Sequence, residues 1–84
     1  MTLDELRKEI DDIDERIINL LNERASIALG AGKIKRHEGL SEKDPAREND
    51  IFARVKELNK GPLTDEKVNT IYKTIISACL DVQT

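Results

Sequence analysis

LDELRKEIDDIDERIINLLNERASIALGAGKI, residues 3–34, decides the architecture. Within it Leu3, Leu6, Ile10, Ile13, Ile17, Leu20, Arg24, Ile27, Ala31 and Ile34 recur at alternating steps of three and four, the seam of a helix packed against another helix. Nine of these ten positions are apolar, and the tenth, Arg24, carries a guanidinium. A buried cation costs several kcal/mol unless an anion meets it. No acidic residue shares the stripe, so the expected partner of Arg24 is a ligand.

Thr2 followed by Glu5 forms a capping box that starts this helix, and the seam runs unbroken to about Ile34 or Lys35. At ~1.5 Å per residue the rod spans about 50 Å, whereas a compact globule of this length has a diameter of roughly 30 Å. A lone chain cannot cover such a helix. Gly30 and Gly32 weaken it by up to ~1 kcal/mol each; close helix packing or room for a bound molecule would explain them, and the sequence does not choose between the two.

Outward from the rod, Arg36 to Lys43 has no apolar period, contains Gly39 and reads as a loop. Asp44-Pro45 then opens a second helix, Asp as N-cap and Pro at the first helical position. Its stripe is Ile51, Phe52, Val55 and Leu58, and Asn59 to Pro62 ends it. Thr64 caps a third helix with the stripe Val68, Ile71, Tyr72, Ile75, Cys79 and Val82. The expectation is an all-α chain with helices over 3–35, 45–59 and 64–83, forming one domain over 1–84 with no repeat and no dividing linker.

Composition agrees with this class. Charged residues make up 37% and hydrophobic residues 38%, and Phe52 and Tyr72 are the only aromatics, which suits a helical assembly better than a sandwich or barrel. A net charge of -3 argues against nucleic acid, which demands a basic stripe or aromatic platforms. Nothing approaches the ~20 apolar residues of a membrane span, and the N-terminus has no secretion signal, so a soluble, cytoplasmic protein is expected. One cysteine, Cys79, and one histidine, His37, offer neither an intrachain disulfide nor a metal-ligand cluster, and no metal or cofactor is expected.

The polar residues suggest a pocket for a compact dianion. Arg7 and Arg24 lie seventeen residues apart on the rod, about 25 Å, so one small molecule cannot touch both on one chain. If two rods pair antiparallel about a two-fold axis near residues 15 and 16, Arg7 of each lands beside Arg24 of the other, creating two equal sites. Lys35 lies three turns beyond Arg24 on the same face, at ~16 Å. Arg47 and Glu48 open the second helix, where backbone N–H groups favour an anion. Cys79 and Gln83 share a face of the third helix at i, i+4.

Taken together, Leu6-Arg7-Lys8-Glu9-Ile10-Asp11-Asp12-Ile13-Asp14, Leu20-Leu21-Asn22-Glu23-Arg24, Gly32-Lys33-Ile34-Lys35, Asp44-Pro45-Ala46-Arg47-Glu48 and Ile75-Ile76-Ser77-Ala78-Cys79-Leu80-Asp81-Val82-Gln83 resemble the all-α chorismate mutases. The resemblance spans essentially the whole chain. It implies an intertwined homodimer, with antiparallel long first helices, that rearranges chorismate to prephenate on the way to phenylalanine and tyrosine. By position, it implies that the partner subunit's Arg7 and Arg24 hold substrate carboxylates, with Arg47 supporting the same anionic region. It implies that Glu48 accepts the ring hydroxyl and that Asp44 acts through its backbone and as the helix cap. Lys35 and Gln83 are implied to donate hydrogen bonds to the ether oxygen whose bond breaks. The chain departs from the family at Cys79, where familiar members carry a serine that helps bind substrate; a thiol is the poorer hydrogen-bond donor.

Such a rearrangement is a unimolecular pericyclic shift that needs no nucleophile, metal or general base. Carboxylate clamps would select the compact conformer, and fixed donors would stabilise charge growing on the ether oxygen. Two alternatives use the same residues: an isochorismate pyruvate lyase on the same scaffold, and a non-catalytic helical dimerisation or regulatory module, such as one piece of a larger aromatic-pathway enzyme. For an isolated seam arginine, snorkelling to water is the commoner fate. The combined spacing of Arg7, Lys35, Arg47 and Gln83 favours the site.

Overall fold

The computed structural model describes residues 1–83. Three helices follow in order: α1 (Leu3–Glu38), α2 (Pro45–Leu58) and α3 (Asp65–Asp81), with no strand among the described residues. Every N-terminal cap read from the sequence is in place. Thr2 Oγ1 accepts from Glu5 N at 3.2 Å, Asp44 Oδ1 from Arg47 N at 3.1 Å and Thr64 Oγ1 from Lys67 N at 3.2 Å. Each bond satisfies one of the amide donors that a helix start leaves unpaired.

The ends differ from expectation by a few residues, for physical reasons. α1 runs to Glu38 rather than Lys35, so the first residues of the expected 36–43 loop are helical. A last turn needs no apolar period. Lys35, Arg36 and His37 sit at the negative end of the helix dipole, and Gly39, at φ 72°, closes the turn with its N–H directed to the Arg36 carbonyl. α2 ends at Leu58, with Asn59 as its extended cap rather than its last residue. α3 begins at Asp65 and stops at Asp81, so Thr64 and Gln83 flank the helix instead of belonging to it. Asn59 also orders the turn into α3, donating to Leu63 O at 2.9 Å and Asp65 Oδ1 at 2.8 Å.

α3 packs against both α1 and α2 and ties the three helices together. The resulting shape is far from a sphere: 55 × 23 × 15 Å, with a radius of gyration of 15.8 Å, against about 12 Å for a compact domain of this length. The long dimension is that of α1. Among the described residues only Val55 and Cys79 are buried apolar side chains, and no side chain is fully enclosed.

The consequence falls on the seam. Leu3, Leu6, Ile10, Ile13, Ile17 and Leu20 are all exposed, Leu20 by 62%. Covering what they leave open is worth roughly 1–2 kcal/mol each, of the order of 10 kcal/mol together, as much as the whole stability of a typical domain. The first half of α1 therefore carries an apolar face that the other described residues leave uncovered. No helix among the described residues is long and apolar enough to cross a membrane.

The two helical glycines separate cleanly. A methyl group on Gly30 would meet nothing within 4 Å, whereas one on Gly32 would lie 2.8 Å from Gln83 Cγ and 2.9 Å from its Cβ. Close packing, the first of the two explanations read from sequence, accounts for Gly32; Gly30 touches nothing. Gly30→Ala is therefore expected to stabilise the fold by about 0.5–1 kcal/mol through helix propensity, while Gly32→Ala should destabilise it despite the same propensity gain. Urea unfolding of the two variants checks this, and equal stabilisation by both would mean that the terminal turn does not rest on Gly32.

Candidate active site

A cleft of about 340 Å³ opens between α1, the segment after it, α2 and α3. Seven of the eight residues singled out in the sequence line it: Arg24, Lys35, Asp44, Arg47, Glu48, Cys79 and Gln83. The helix periods explain the convergence. Arg24 and Lys35 lie eleven residues apart on one face of α1, Arg47 and Glu48 occupy the first turn of α2, and Cys79 lies near the end of α3. Ile27, Ile51, Ile76 and Leu80 supply the apolar part of the wall.

Arg7 is the exception. It stands near the opposite end of the rod, its side chain 66% exposed and 4.0 Å from Asp4 Oδ1, and it does not line the cleft of its own chain. A surface contact of that kind contributes little.

Charge in the cleft is unevenly engaged. Asp44 spends Oδ1 on capping α2, Glu42 Oε1 lies 3.4 Å from Arg36 Nη1, and Glu48 Oε2 lies 3.8 Å from Lys43 Nζ. The guanidinium groups of Arg24 and Arg47 have no anionic partner among the described residues. Arg24 is half-buried, so its charge is partly desolvated without compensation. An anion entering the cleft would meet two unneutralised forks suited to planar carboxylates.

At one end, Lys35 and Gln83 form a defined pair. Lys35 Nζ donates to the Glu42 carbonyl at 2.8 Å and to Gln83 Oε1 at 3.4 Å, while Gln83 Nε2 donates to the Ala28 carbonyl at 3.0 Å. Exchanging the amide oxygen and nitrogen would set an NH₂ against an ammonium and an oxygen against a carbonyl, so the orientation is fixed by its neighbours. Gln83 is not on α3 as the i, i+4 spacing from Cys79 suggested; it follows the helix in a turn whose N–H donates to Leu80 O at 3.0 Å. It is nonetheless only 6% exposed, held against Gly32 and Ala28 rather than frayed. Cys79, also 6% exposed, is a free thiol in the wall.

Three contributors escaped the sequence reading. Glu42 lines the cleft and binds Lys35 through its main chain, Arg36 reaches Glu42 and the Gln83 carbonyl, and Ala28 presents its own carbonyl to the Gln83 amide. For Arg36 a signal existed: a basic run followed by glycine marks a helix end. For Glu42 and Ala28 there was none, because backbone carbonyls have no sequence signature.

Comparison with known proteins agrees with this geometry. A family profile described as chorismate mutase type II matches residues 6–84. The chain is 48% identical over 85 residues to a bifunctional chorismate mutase/prephenate dehydratase of Aquifex aeolicus, covering 96% of this chain and 24% of that protein. It is 41% identical over 66 residues to a chorismate mutase of Methanocaldococcus jannaschii, covering 79% of this chain and 67% of the relative. The chain thus spans about a quarter of the length of the bifunctional curated relatives it matches. In structure it is similar to a chorismate mutase (form II) of Thermus thermophilus, with a TM-score of 0.94 at 34% identity over 96% of this chain and 92% of that one. Helix order and overall fold agree with a profile match that takes in nearly every residue, and the chain belongs to the chorismate mutase type II family.

Proposed function

We propose that this chain is an isomerase that rearranges chorismate to prephenate, acting as one catalytic unit over residues 1–84. The observation that carries the reading is the pairing, in one cleft, of two unneutralised guanidinium groups with a cross-braced ammonium and amide. In this reading Arg24 and the partner's Arg7 clamp the substrate carboxylates, Arg47 supports the same anionic region, and together they hold the compact conformer, which lowers the entropy cost of reaching the transition state. Lys35 and Gln83 each direct a remaining N–H to the ether oxygen, where negative charge grows as the bond opens. Glu48 accepts the ring hydroxyl, Asp44 fixes the start of α2, and Cys79 contacts the substrate from the wall. The residues are asked only to bind, orient and donate hydrogen bonds.

The working form in this proposal is a homodimer with α1 antiparallel to its twin. The exposed seam from Leu3 to Leu20 supports it, since an apolar stripe of that length at heptad spacing suits a copy of itself. The exclusion of Arg7 from its own cleft supports it as well, because the antiparallel arrangement brings the partner's Arg7 next to Arg24. A reducing compartment such as the cytoplasm suits the unpaired thiol of Cys79 in the cleft.

The direct test is to incubate the protein separately with chorismate and isochorismate and identify the products. Prephenate from chorismate is expected; salicylate and pyruvate from isochorismate would establish the lyase instead, and no turnover of either would leave a non-catalytic module. Arg24→Ala and Gln83→Ala are each expected to lower kcat/KM by about 100- to 1000-fold with helicity retained by circular dichroism. Since neither an amide nor a guanidinium titrates between about pH 5 and 7.5, kcat should stay flat across that window. A steep loss there without unfolding would remove Gln83 from its assigned role.

Subunit sharing has its own signature. Arg7→Ala and Arg24→Ala chains should each be nearly inactive alone. Refolded together in equal amounts, they should recover about a quarter of wild-type activity, because half the dimers are mixed and each mixed dimer contains one intact site. No recovery in verified mixed dimers would refute the shared site.

A further inference from the structure

Lys35 and its neighbour Arg36 grip the same two residues in complementary ways. Lys35 Nζ donates to the main-chain carbonyl of Glu42 and to the side-chain oxygen of Gln83. Arg36 Nη1 does the reverse, donating to the side-chain carboxylate of Glu42 at 3.4 Å and to the main-chain carbonyl of Gln83. Through these two side chains Glu42 and Gln83 are each held at one backbone and one side-chain atom, and Gln83 is held further by Nε2 on the Ala28 carbonyl and by its N–H on the Leu80 carbonyl. Two anchored points fix a residue's orientation where a single point leaves a pivot.

Arg36 itself stays outside. Its side chain is half-exposed and does not line the cleft, so it touches nothing that binds there. Through it, however, the last turn of α1 is joined to the 39–44 segment and to the turn after α3, the three pieces that set the direction of the Lys35 and Gln83 donors.

We propose that Arg36 is a positioning residue for the Lys35–Gln83 donor pair, an inference that rests on the reaction proposed above. Without it the Gln83 carbonyl loses its guanidinium and Glu42 its ion pair, so the turn after α3 and the 39–44 segment shift, and the amide, still bonded to Lys35 and Ala28, moves with them. Lys35, Arg24 and Arg47 keep their charges, and capture of the substrate dianion persists. What degrades is alignment on the breaking bond, an interaction made in the transition state, so the loss falls on kcat and not on KM.

The test is Arg36→Met, Arg36→Lys and Glu42→Ala in the full chain, with steady-state kinetics, thermal unfolding and the ¹⁵N signal of the Gln83 side-chain amide measured for each. Arg36→Met should lower kcat about ten-fold with KM within about two-fold and move the amide signal towards that of a free glutamine. Arg36→Lys should recover part of the loss, since an ammonium keeps the charge and the donors of Nη1 but lacks the planar guanidinium that fixes their direction. Glu42→Ala, which removes only one arm, should cost about three-fold in kcat and serves, with Arg36→Lys, for the same comparison if Arg36→Met does not fold. An unchanged kcat, or a lowered unfolding temperature with kcat and the amide signal intact, would reduce Arg36 to a structural staple and overturn the proposal. If the wild-type protein rearranges no chorismate, the functional reading fails on its own account. The amide signal then decides the positioning role, and an unmoved signal in Arg36→Met overturns it.

Discussion

Among the described residues, α2 and α3, of 14 and 17 residues, are too short to cover a helix of 36. That mismatch of length governs the rest of the structure. α3 lies against one end of α1 and carries α2 with it, which leaves the seam from Leu3 to Leu20 open along one side. Arg24 follows that open stretch, and from Arg24 onward the same face of the rod lines the cleft. A leucine at position 24 would carry the apolar seam uninterrupted into the cleft; a guanidinium there interrupts it where the cleft begins. The change of residue type and the change of environment coincide, so one helix carries both an open apolar face and a wall of the cleft.

How much of this was legible follows from how each feature is encoded. The apolar periods and the three N-caps depend on residues within a few positions of one another, and Thr2, Asp44 and Thr64 all perform as their local chemistry requires. The C-terminal ends were less legible. Lys35 to Glu38 carry no hydrophobic signal, yet they form the last turn because charge at the dipole and a left-handed glycine suffice to hold it. The i, i+4 spacing from Cys79 predicts a helical Gln83, yet that residue reaches the cleft by a different route, from a turn seated on Gly32.

The site divides the same way. Residues whose side chains carry the charge announced themselves by type and spacing, and all but Arg7 meet in one cleft. The residues that orient them did not. Glu42 and Ala28 act through carbonyl oxygens that every residue possesses, and Gln83 finds Ala28 across 55 positions of sequence. Gly32 is visible in the sequence as an anomaly but not as a solution, because the clash that excludes a methyl group exists only once the turn after α3 has brought Gln83 back onto α1. Support for a site is a property of tertiary proximity, and a single sequence records it only indirectly.

That support bears on how the proposed chemistry would be achieved. Of the three ammonium protons of Lys35, two are taken by Glu42 and Gln83 among the described residues, and of the two amide protons of Gln83 one is taken by Ala28. Each group therefore keeps one N–H, and each is anchored by bonds that do not involve the substrate. In water, donors must reorient around a developing charge, and that reorganisation is part of the barrier. Here the anchoring bonds form when the chain folds, at the cost of ordering a long lysine and a terminal turn. Burial against Gly32 and the cross-bracing from Arg36 offset that cost. For the proposed reaction, in which the protein forms no covalent bond to its substrate, the geometry of two such fixed protons and of the guanidinium groups lining the same cleft is the catalyst's main resource.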